Sequence, residues 1–282
     1  MGRLEHGSGV TWCRGIAYPP SAGELESRVV TLSVVIPARN DAAMLAHCLE
    51  HLAAQLRPAD EIIVVDNGST DDTARVARAG GAIVLEQPVV GIWSASSTGY
   101  DAASGEVIVR IDADSRPPVD WLAHIEAAFV TMPEVDAITG PGEFYDGGAV
   151  STLLGRTLYL GGYFWSMSLW LGQPPLFGSN FAMRHEVWAD VRGRVHRDDP
   201  RVHDDLDLSI HLSPGTRVHY EDTLTVGISG RPFDSWNGLI RRLDWAFHTI
   251  GAHLPEEAPW RRRALRRSVE EPDGVDPTNS PA

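Results

Sequence analysis

Val107-Ile-Val-Arg-Ile-Asp-Ala-Asp-Ser115 is the stretch from which the fold of this chain is read. Val and Ile packed closely around Arg110 predict a buried strand, and two carboxylates follow it, Asp112 and Asp114. A strand interior offers a carboxylate no water, so the pair belongs where the strand runs out. In open α/β sheets that carboxyl-end crevice is where ligands bind. Side chains at i and i+2 leave a strand on one face. Two carboxylates so placed repel unless something positive lies between them, and a hard divalent cation serves best. Asp-x-Asp is also the pattern of an ordinary solvated turn.

Working outward, residues 32–36 read as the first strand, ended by Pro37, which has no N–H for a central ladder. Asp41 is placed to cap the next helix, whose apolar stripe is Met44, Leu45, Cys48, Leu49 and Leu52. Residues 61–65 form a second strand, and Asp66-Asn-Gly-Ser-Thr-Asp-Asp72 a polar turn before a short helix. A strand at 82–85, a helix at 92–103, the strand at 106–111, a helix opened by Pro117-Pro118 and running to 130, and a strand at 135–139 continue the alternation. This rhythm implies a mostly parallel, doubly wound α/β sheet of the Rossmann type.

After residue 145 the rhythm lapses and aromatics gather: Tyr159, Tyr163, Phe164, Trp165, Trp170 and Phe177. One further strand is expected at 217–226. The expected divisions are an irregular arm (1–30), a first half (31–145), a smaller second half (146–250), and a basic helix with a disordered tail (251–282).

Composition narrows the function classes. A formal net charge of -14 over 282 residues argues against a nucleic-acid binder, whose footprint is a basic face. All 24 basic residues are Arg, so a Schiff-base or Walker-type lysine is excluded. Cys13 and Cys48 have neither metal nor disulfide spacing, which fits a reducing cytoplasm. The polar N-terminus, with Glu5 and His6, does not read as a signal peptide. The least charged stretch, 157–183, is interrupted by Gly161-Gly162, Gly172 and Pro174-Pro175. Its apolar part falls short of the roughly 20 residues of a spanning helix.

Three segments, VVIPARN (34–40), VVDNGSTDDT (64–73) and VRIDADS (109–115), each set polar groups at the carboxyl edge of a strand. Together with GSNFAMRHEVW (178–188) and HDDLDLSIHL (203–212), their order resembles the family 2 glycosyltransferases, inverting nucleotide-sugar enzymes of the GT-A fold. The resemblance covers roughly residues 31–230. It implies that Pro37, Arg39 and Asn40 lie near the nucleotide base and that Asp66, beside Asn67, accepts the base's ring N–H. It also implies that Asp112 approaches the ribose and metal-bound water, and that Asp114, across Ala113, binds Mn²⁺ or Mg²⁺ on the two phosphates. Asn180 of the GSN motif joins the donor set. Asp204-Asp205 stands where the family usually has Glu-Asp; Asp205 becomes the general base and Asp204 its orienting neighbour. The same acidic residues also suit a helix N-terminus without chemistry.

One departure stands out. Ala95-Ser96-Ser97-Thr98-Gly99 replaces the family's Ala-Arg-Asn before a Gly, and Arg110 is the candidate substitute for the missing cation. His203, His211 and His219 are candidates for a further metal ligand, His219 being carried in the metal set with Asp112 and Asp114, although a strand His is commonly a packed core residue. The expected activity is inverting transfer from a nucleoside diphosphate sugar to a saccharide, lipid-linked or small-molecule hydroxyl. The alternatives are a non-catalytic sugar-nucleotide-binding relative and, last, a nucleotidyltransferase, for which Pro37-Ala-Arg-Asn40 lacks the glycines. The aromatic stretch reads as core, homodimer face or acceptor platform. The arginines of 261–267 read as a solvated helix face or a peripheral contact with the inner membrane face.

Overall fold

β1 (Leu32–Ala38) is buried along its whole length, and the sheet grows from it on both edges. The computed structural model describes residues 29–146, 161–231, 236–254 and 258–270. The expectations for the N-terminal arm up to residue 28, for Tyr159 and for the tail past residue 270 lie outside the described residues.

α1 (Ala42–Ala53), β2 (Glu61–Asp66), α2 (Thr73–Ala79), β3 (Ile83–Glu86), α3 (Ile92–Ala102) and β4 (Val107–Arg110) follow in strict alternation. Next come α4 (Trp121–Thr131), β5 (Ala137–Thr139), β6 (Gly142–Phe144), α5 (Gly161–Leu171), β7 (Phe181–Arg184), α6 (His185–Val191) and α7 (Asp204–His211). β8 (Val218–Tyr220), β9 (Val226–Ile228), α8 (Trp236–His253) and α9 (Pro259–Glu270) close the described chain. The seven-stranded sheet runs β3-β2-β1-β4-β7-β5-β8, and β6 pairs with β9 apart from it. Only β7 runs antiparallel to its neighbours, so the sheet is mostly parallel. Strands from both sides of residue 145 enter this one sheet.

Period-two alternation splits β1 between two cores. Leu32, Val34 and Ile36 pack with Leu45, Leu49, Leu122 and Phe129 of α1 and α4. Val35 faces the other way, into Trp93, Tyr100, Trp188 and Leu208 of α3, α6 and α7. From β1 the chain steps outward to β2 and β3, then returns to β4 on the opposite edge of β1. That reversal is the topological switch point, where a crevice opens at the strand ends.

Four local expectations are corrected. Pro37 lies within β1, opposite Val65 of β2. The pairing of β1 with β4 ends at Val35, whose carbonyl accepts Ile111 N–H on that edge. Pro37 shares that edge two residues on, where no ladder partner is required. The Asp41 carboxylate makes no cap bond to α1; it is held by Arg231 instead. α4 starts at Trp121 because Pro117 and Pro118 remain in the approach, their carbonyls accepting from His51 Nδ1 (3.2 Å) and Gln55 Nε2 (2.6 Å). The strand expected at 217–226 is two, β8 and β9, separated by a turn in which Glu221 accepts the Thr223 N–H and hydroxyl.

Gly140 marks where the two sheets meet. A Cβ there would collide with the carbonyl oxygen of Leu224 and lie 2.9 Å from Asn180 Nδ2. The obstacle is backbone, which cannot swing aside. Gly140→Ala is therefore expected to lower unfolding stability by about 1–3 kcal/mol, the usual cost of overpacking. Denaturant titration should show a lower midpoint at an unchanged m-value.

Candidate functional site

The site is assembled around a buried cation. β4 carries Arg110 to its end at 1% exposure, among the largest fully buried side chains of the protein. Its Nη1 donates to Asp112 Oδ1 (2.5 Å) and to the Gly178 carbonyl (2.5 Å), and its Nη2 to Asp204 Oδ2 (3.3 Å). One guanidinium thus joins the carboxylate after β4 to the first residue of α7.

The turn 178–180 makes a second link. The Ser179 hydroxyl donates to Asp112 Oδ2, and Gly178 N–H donates to Asp205 Oδ2 at 2.9 Å. Gly178 suits this place because a Cβ would press on the Asp205 carboxylate at 3.1 Å. The Asp-x-Asp pair and the Asp204-Asp205 pair, 90 residues apart in sequence, are therefore held in one network.

Burial and the neighbouring Asp204 charge push the Asp205 carboxyl above its ordinary range, against the opposing pull of His203, the Gly178 N–H and Arg110. Asp114 is likewise raised, by burial first and then by Asp112, while Arg231 pulls it down. Arg231 Nη2 bridges Asp114 Oδ2 (2.8 Å) and Asp41 Oδ2 (2.8 Å) at the rim of the crevice. Two carboxylates that destabilise each other's charge, with hard oxygen donors only, suit Mg²⁺ or Mn²⁺. The residues present fit such an ion at Asp112 and Asp114.

The first two strand ends close the opposite wall. Asn40 adopts a left-handed backbone (φ 51°), which Asn tolerates better than most residues. Its Oδ1 accepts Thr70 N–H at 2.7 Å, clamping the end of β1 to the turn after β2. Arg39 beside it is exposed, Pro37 and Ala113 are buried, and Asp66 Oδ1 accepts Ser69 N–H at 3.1 Å.

Several expected donor contacts have other duties. Asn67 donates to the carbonyls of Gln87 and Val89 and accepts Gly91 N–H, so its amide ties β2 to the entrance of α3. Asn180 is fully buried; it donates to the carbonyls of Pro141 and Leu224 and accepts Trp121 Nε1–H. Both amide hydrogens of each are thus committed to the framework. Arg110 points inward and cannot take the family arginine's place against a nucleotide. It does meet Ser96, which stands in that arginine's position, at a shared atom: the Ser96 hydroxyl donates to Asp204 Oδ2 at 2.7 Å. His219 is not brought to the acidic pair. It sits on β8, three strands beyond β4, or about 14 Å at normal strand spacing, and pairs with Glu221 at 3.6 Å. His203 precedes α7 with its ring against Trp245.

Sequence reasoning missed Ser179, Ser96 and Arg231 as participants. Ser179 lay inside the quoted GSN motif, and Ser96 was marked only as a departure. Arg231 had no local signal. The arginines of 261–267 divide in two: Arg262 donates to the carbonyls of Ile210 and Leu212, and Arg266 to that of Thr216. These two cap the C-terminal end of α7 and the segment beyond, where carbonyls lack helical partners. They correct the expectation of a uniformly solvated face.

The profile of Glycosyl transferase family 2 matches residues 33–189, more than half of the chain. The chain belongs to that family. Glycosyltransferase AglE of Haloferax volcanii is 31% identical over 128 residues, 43% of this chain and 42% of that protein. The 4,4'-diaponeurosporenoate glycosyltransferase of Staphylococcus aureus is 39% identical over 90 residues, 30% of this chain and 24% of that one. The chain thus aligns with less than half the length of these relatives. Among solved structures, mannosyltransferase PcManGT from Pyrobaculum calidifontis, in complex with GDP-Man and Mn²⁺, matches with a TM-score of 0.59 at 21% identity, over 89% of this chain and 78% of that one. Glucosyl-3-phosphoglycerate synthase from Mycobacterium tuberculosis, in complex with Mn²⁺, UDP and phosphoglyceric acid, matches at 0.56 and 24% identity over 79% of each chain. These two likenesses establish the GT-A fold.

The raised Asp205 carboxyl has a consequence for stability. A carboxyl whose folded pKa exceeds its unfolded one binds its proton more tightly in the native chain. The stability it contributes is complete below the ordinary carboxylate range and is lost as pH rises through the raised value. Asp205→Asn removes that loss, so the variant should melt above wild type at neutral pH, with the gap closing as pH falls through the raised value into the ordinary carboxylate range. A gap that stays constant or reverses all the way down to that range would show that Asp205 is not destabilised by its setting.

Proposed function

We propose that this chain transfers a sugar, with inversion, from a nucleoside diphosphate sugar to an acceptor hydroxyl. The observation that carries this reading is the link through Gly178 and Ser179, which holds Asp205 beside the Asp112–Asp114 edge. Residues 31–145 handle the donor and 146–250 the acceptor. The exposed Arg39 and the Asn40–Thr70 clamp face the base side, with Asp66 as the acceptor for a ring N–H. Asp205 takes the proton of the acceptor hydroxyl as its oxygen bonds to the anomeric carbon; the bond from that carbon to the diphosphate breaks, and the nucleoside diphosphate leaves. Mn²⁺ or Mg²⁺ at Asp112 and Asp114 supplies charge neutralisation for the leaving diphosphate. With a base and no enzyme nucleophile, one displacement inverts the centre. Asp204, bound by Arg110 and Ser96, orients the base. The complexes of the two structural neighbours with nucleotide and Mn²⁺ support this reading by analogy.

Calorimetric donor titration beside a product assay tests it. Asp205→Asn should keep donor affinity and lose about 10²–10⁴-fold in transfer rate. Asp114→Asn should lose metal-dependent nucleotide binding and transfer together. Near-normal turnover in Asp205→Asn refutes the base assignment. A wild-type chain that binds donors but transfers to no acceptor is the non-catalytic relative instead.

Among the described residues no helix is long and apolar enough to cross a membrane. α5 and α9 nevertheless pack together and leave large apolar side chains exposed: Trp165 (67%) and Leu169 (52%) on one, Trp260 (70%) and Leu265 (53%) on the other. Arg261 and Arg267 are exposed on the same α9, in a chain of net charge -14. We assign to this strip a peripheral contact with an anionic membrane, in preference to a homodimer, because the exposed arginines beside the tryptophans match that surface. The protein should co-sediment with anionic vesicles at low salt and release as salt rises. Equal retention on neutral vesicles, or none on anionic ones, rules the contact out.

A further inference from the structure

Away from the donor crevice, four metal-ligating side chains converge. His196, Asp207, His211 and His253 each bring a ligand atom within 4.8 Å of the others. Asp207 and His211 are one turn apart on α7, His196 follows α6, and His253 ends α8. His196 Nδ1 and His253 Nε2 are each 2.8 Å from Asp207 Oδ1; His211 Nδ1, 3.3 Å from it, donates to the Asp207 carbonyl at 2.9 Å, which leaves Nε2 as the ligand atom of His211. Around a tetrahedral zinc, bonds of about 2.0–2.1 Å set ligand atoms about 3.3 Å apart, a spacing that small ring rotations reach from atoms already within 4.8 Å of one another.

The hydrogen bonds around the cluster decide what lies at its centre. A carbonyl oxygen can only accept, so His253 Nδ1, 2.5 Å from the Thr249 carbonyl, carries the ring proton. The neutral ring then turns a lone pair at Nε2 towards an Asp207 oxygen that offers another. A proton or a metal cation between the two relieves that contact. The three rings stand 4.9–5.2 Å apart around the one carboxylate. The other oxygen of that carboxylate is already occupied by Trp93 Nε1–H (2.6 Å) and His196 N–H (2.8 Å). One divalent ion can draw a ligand atom from each of the four side chains.

We propose that His196, Asp207, His211 and His253 bind a structural Zn²⁺, independent of the donor-site metal. Three imidazoles and one carboxylate are borderline ligands that suit zinc, whereas the all-oxygen crevice suits Mg²⁺ or Mn²⁺. The Trp93 bond to Asp207 and the Thr249 bond to His253 are the outer contacts that fix ligand orientation in such centres. The ion pins the end of α8 and the segment after α6 to α7, the helix that begins with Asp204 and Asp205. It is a positioning site, two residues along the helix from Asp205.

The test uses the full chain, purified without a histidine tag from zinc-supplemented medium. Elemental analysis should find about one zinc per chain. Chelation should lower Tm, and ZnCl₂, but not MgCl₂, should restore it, because ligand held by the folded state alone is stabilising. His211→Ala and His196→Ala should each lose the zinc, whereas Asp114→Asn keeps it. His196 is 41% exposed at the rim, so its substitution serves if His211→Ala fails to fold. A folded wild-type chain that takes up no zinc and whose Tm ignores ZnCl₂ overturns the proposal. Zinc that survives both histidine substitutions but vanishes in Asp114→Asn overturns it too. None of these readouts depends on glycosyl transfer, so the two readings fail separately.

Discussion

A buried guanidinium is the constraint on which the rest of this molecule depends. Removing Arg110 from water is costly, and the cost is met only if anions and carbonyls surround it in fixed positions. Asp112, Asp204 and the Gly178 carbonyl provide that shell. Satisfying one cation therefore sets where β4 ends, where α7 begins and where the 178–180 turn must pass. Donor edge and proposed base share a single electrostatic anchor, and neither can shift without exposing the other's partner.

The remaining geometry is set by small residues and saturated amides. Asn180 joins Pro141, Leu224 and Trp121, and so fastens β7 to the loop after β5, to the segment before β9 and to α4. Gly99 packs where a Cβ would overlap Val35, bringing α3 onto β1 closely enough for Ser96 to reach Asp204. Gly178 leaves room for Asp205 in the same way. Burial here is polar and largely paired, with Arg110 Nε and Ser115 Oγ the exceptions, and the paired groups rigidify the site.

What could be read from sequence was local. Val and Ile density gave away β1, β2 and β4, and of the stripe read on α1, Leu45, Cys48, Leu49 and Leu52 are buried while Met44 is half-buried. Asp112, Asp114 and Asp205 were visible because each follows or opens a recognisable element. Pro37 misled because the rule against ladder proline holds for a strand with two neighbours, and at that residue the β4 edge is already open. Arg231 was invisible: its partners Asp114 and Asp41 lie 117 and 190 residues away. His196 and His253 are likewise scattered, and only Asp207 with His211 shows a one-turn spacing. Arg262 and Arg266 look like surface charge until α9 is seen to lie across the end of α7.

The two arginines of the crevice differ in what they permit. Arg110 is sealed, and moving it would strand Asp204 in the interior. Arg231 sits at the rim with its side chain 45% exposed, where ion pairs are screened and individually weak. Asp112 gives one oxygen to Arg110 and the other to Ser179, so its inner face is committed. A divalent ion entering at this edge must therefore compete with Arg231 for Asp114 and leave Arg110 in place. The inner cation maintains the architecture, and the outer one holds the position that the proposed metal would take over. Arg231 that gives up Asp114 is still held by both oxygens of Asp41, so the outer contact can be exchanged without releasing the side chain from the rim.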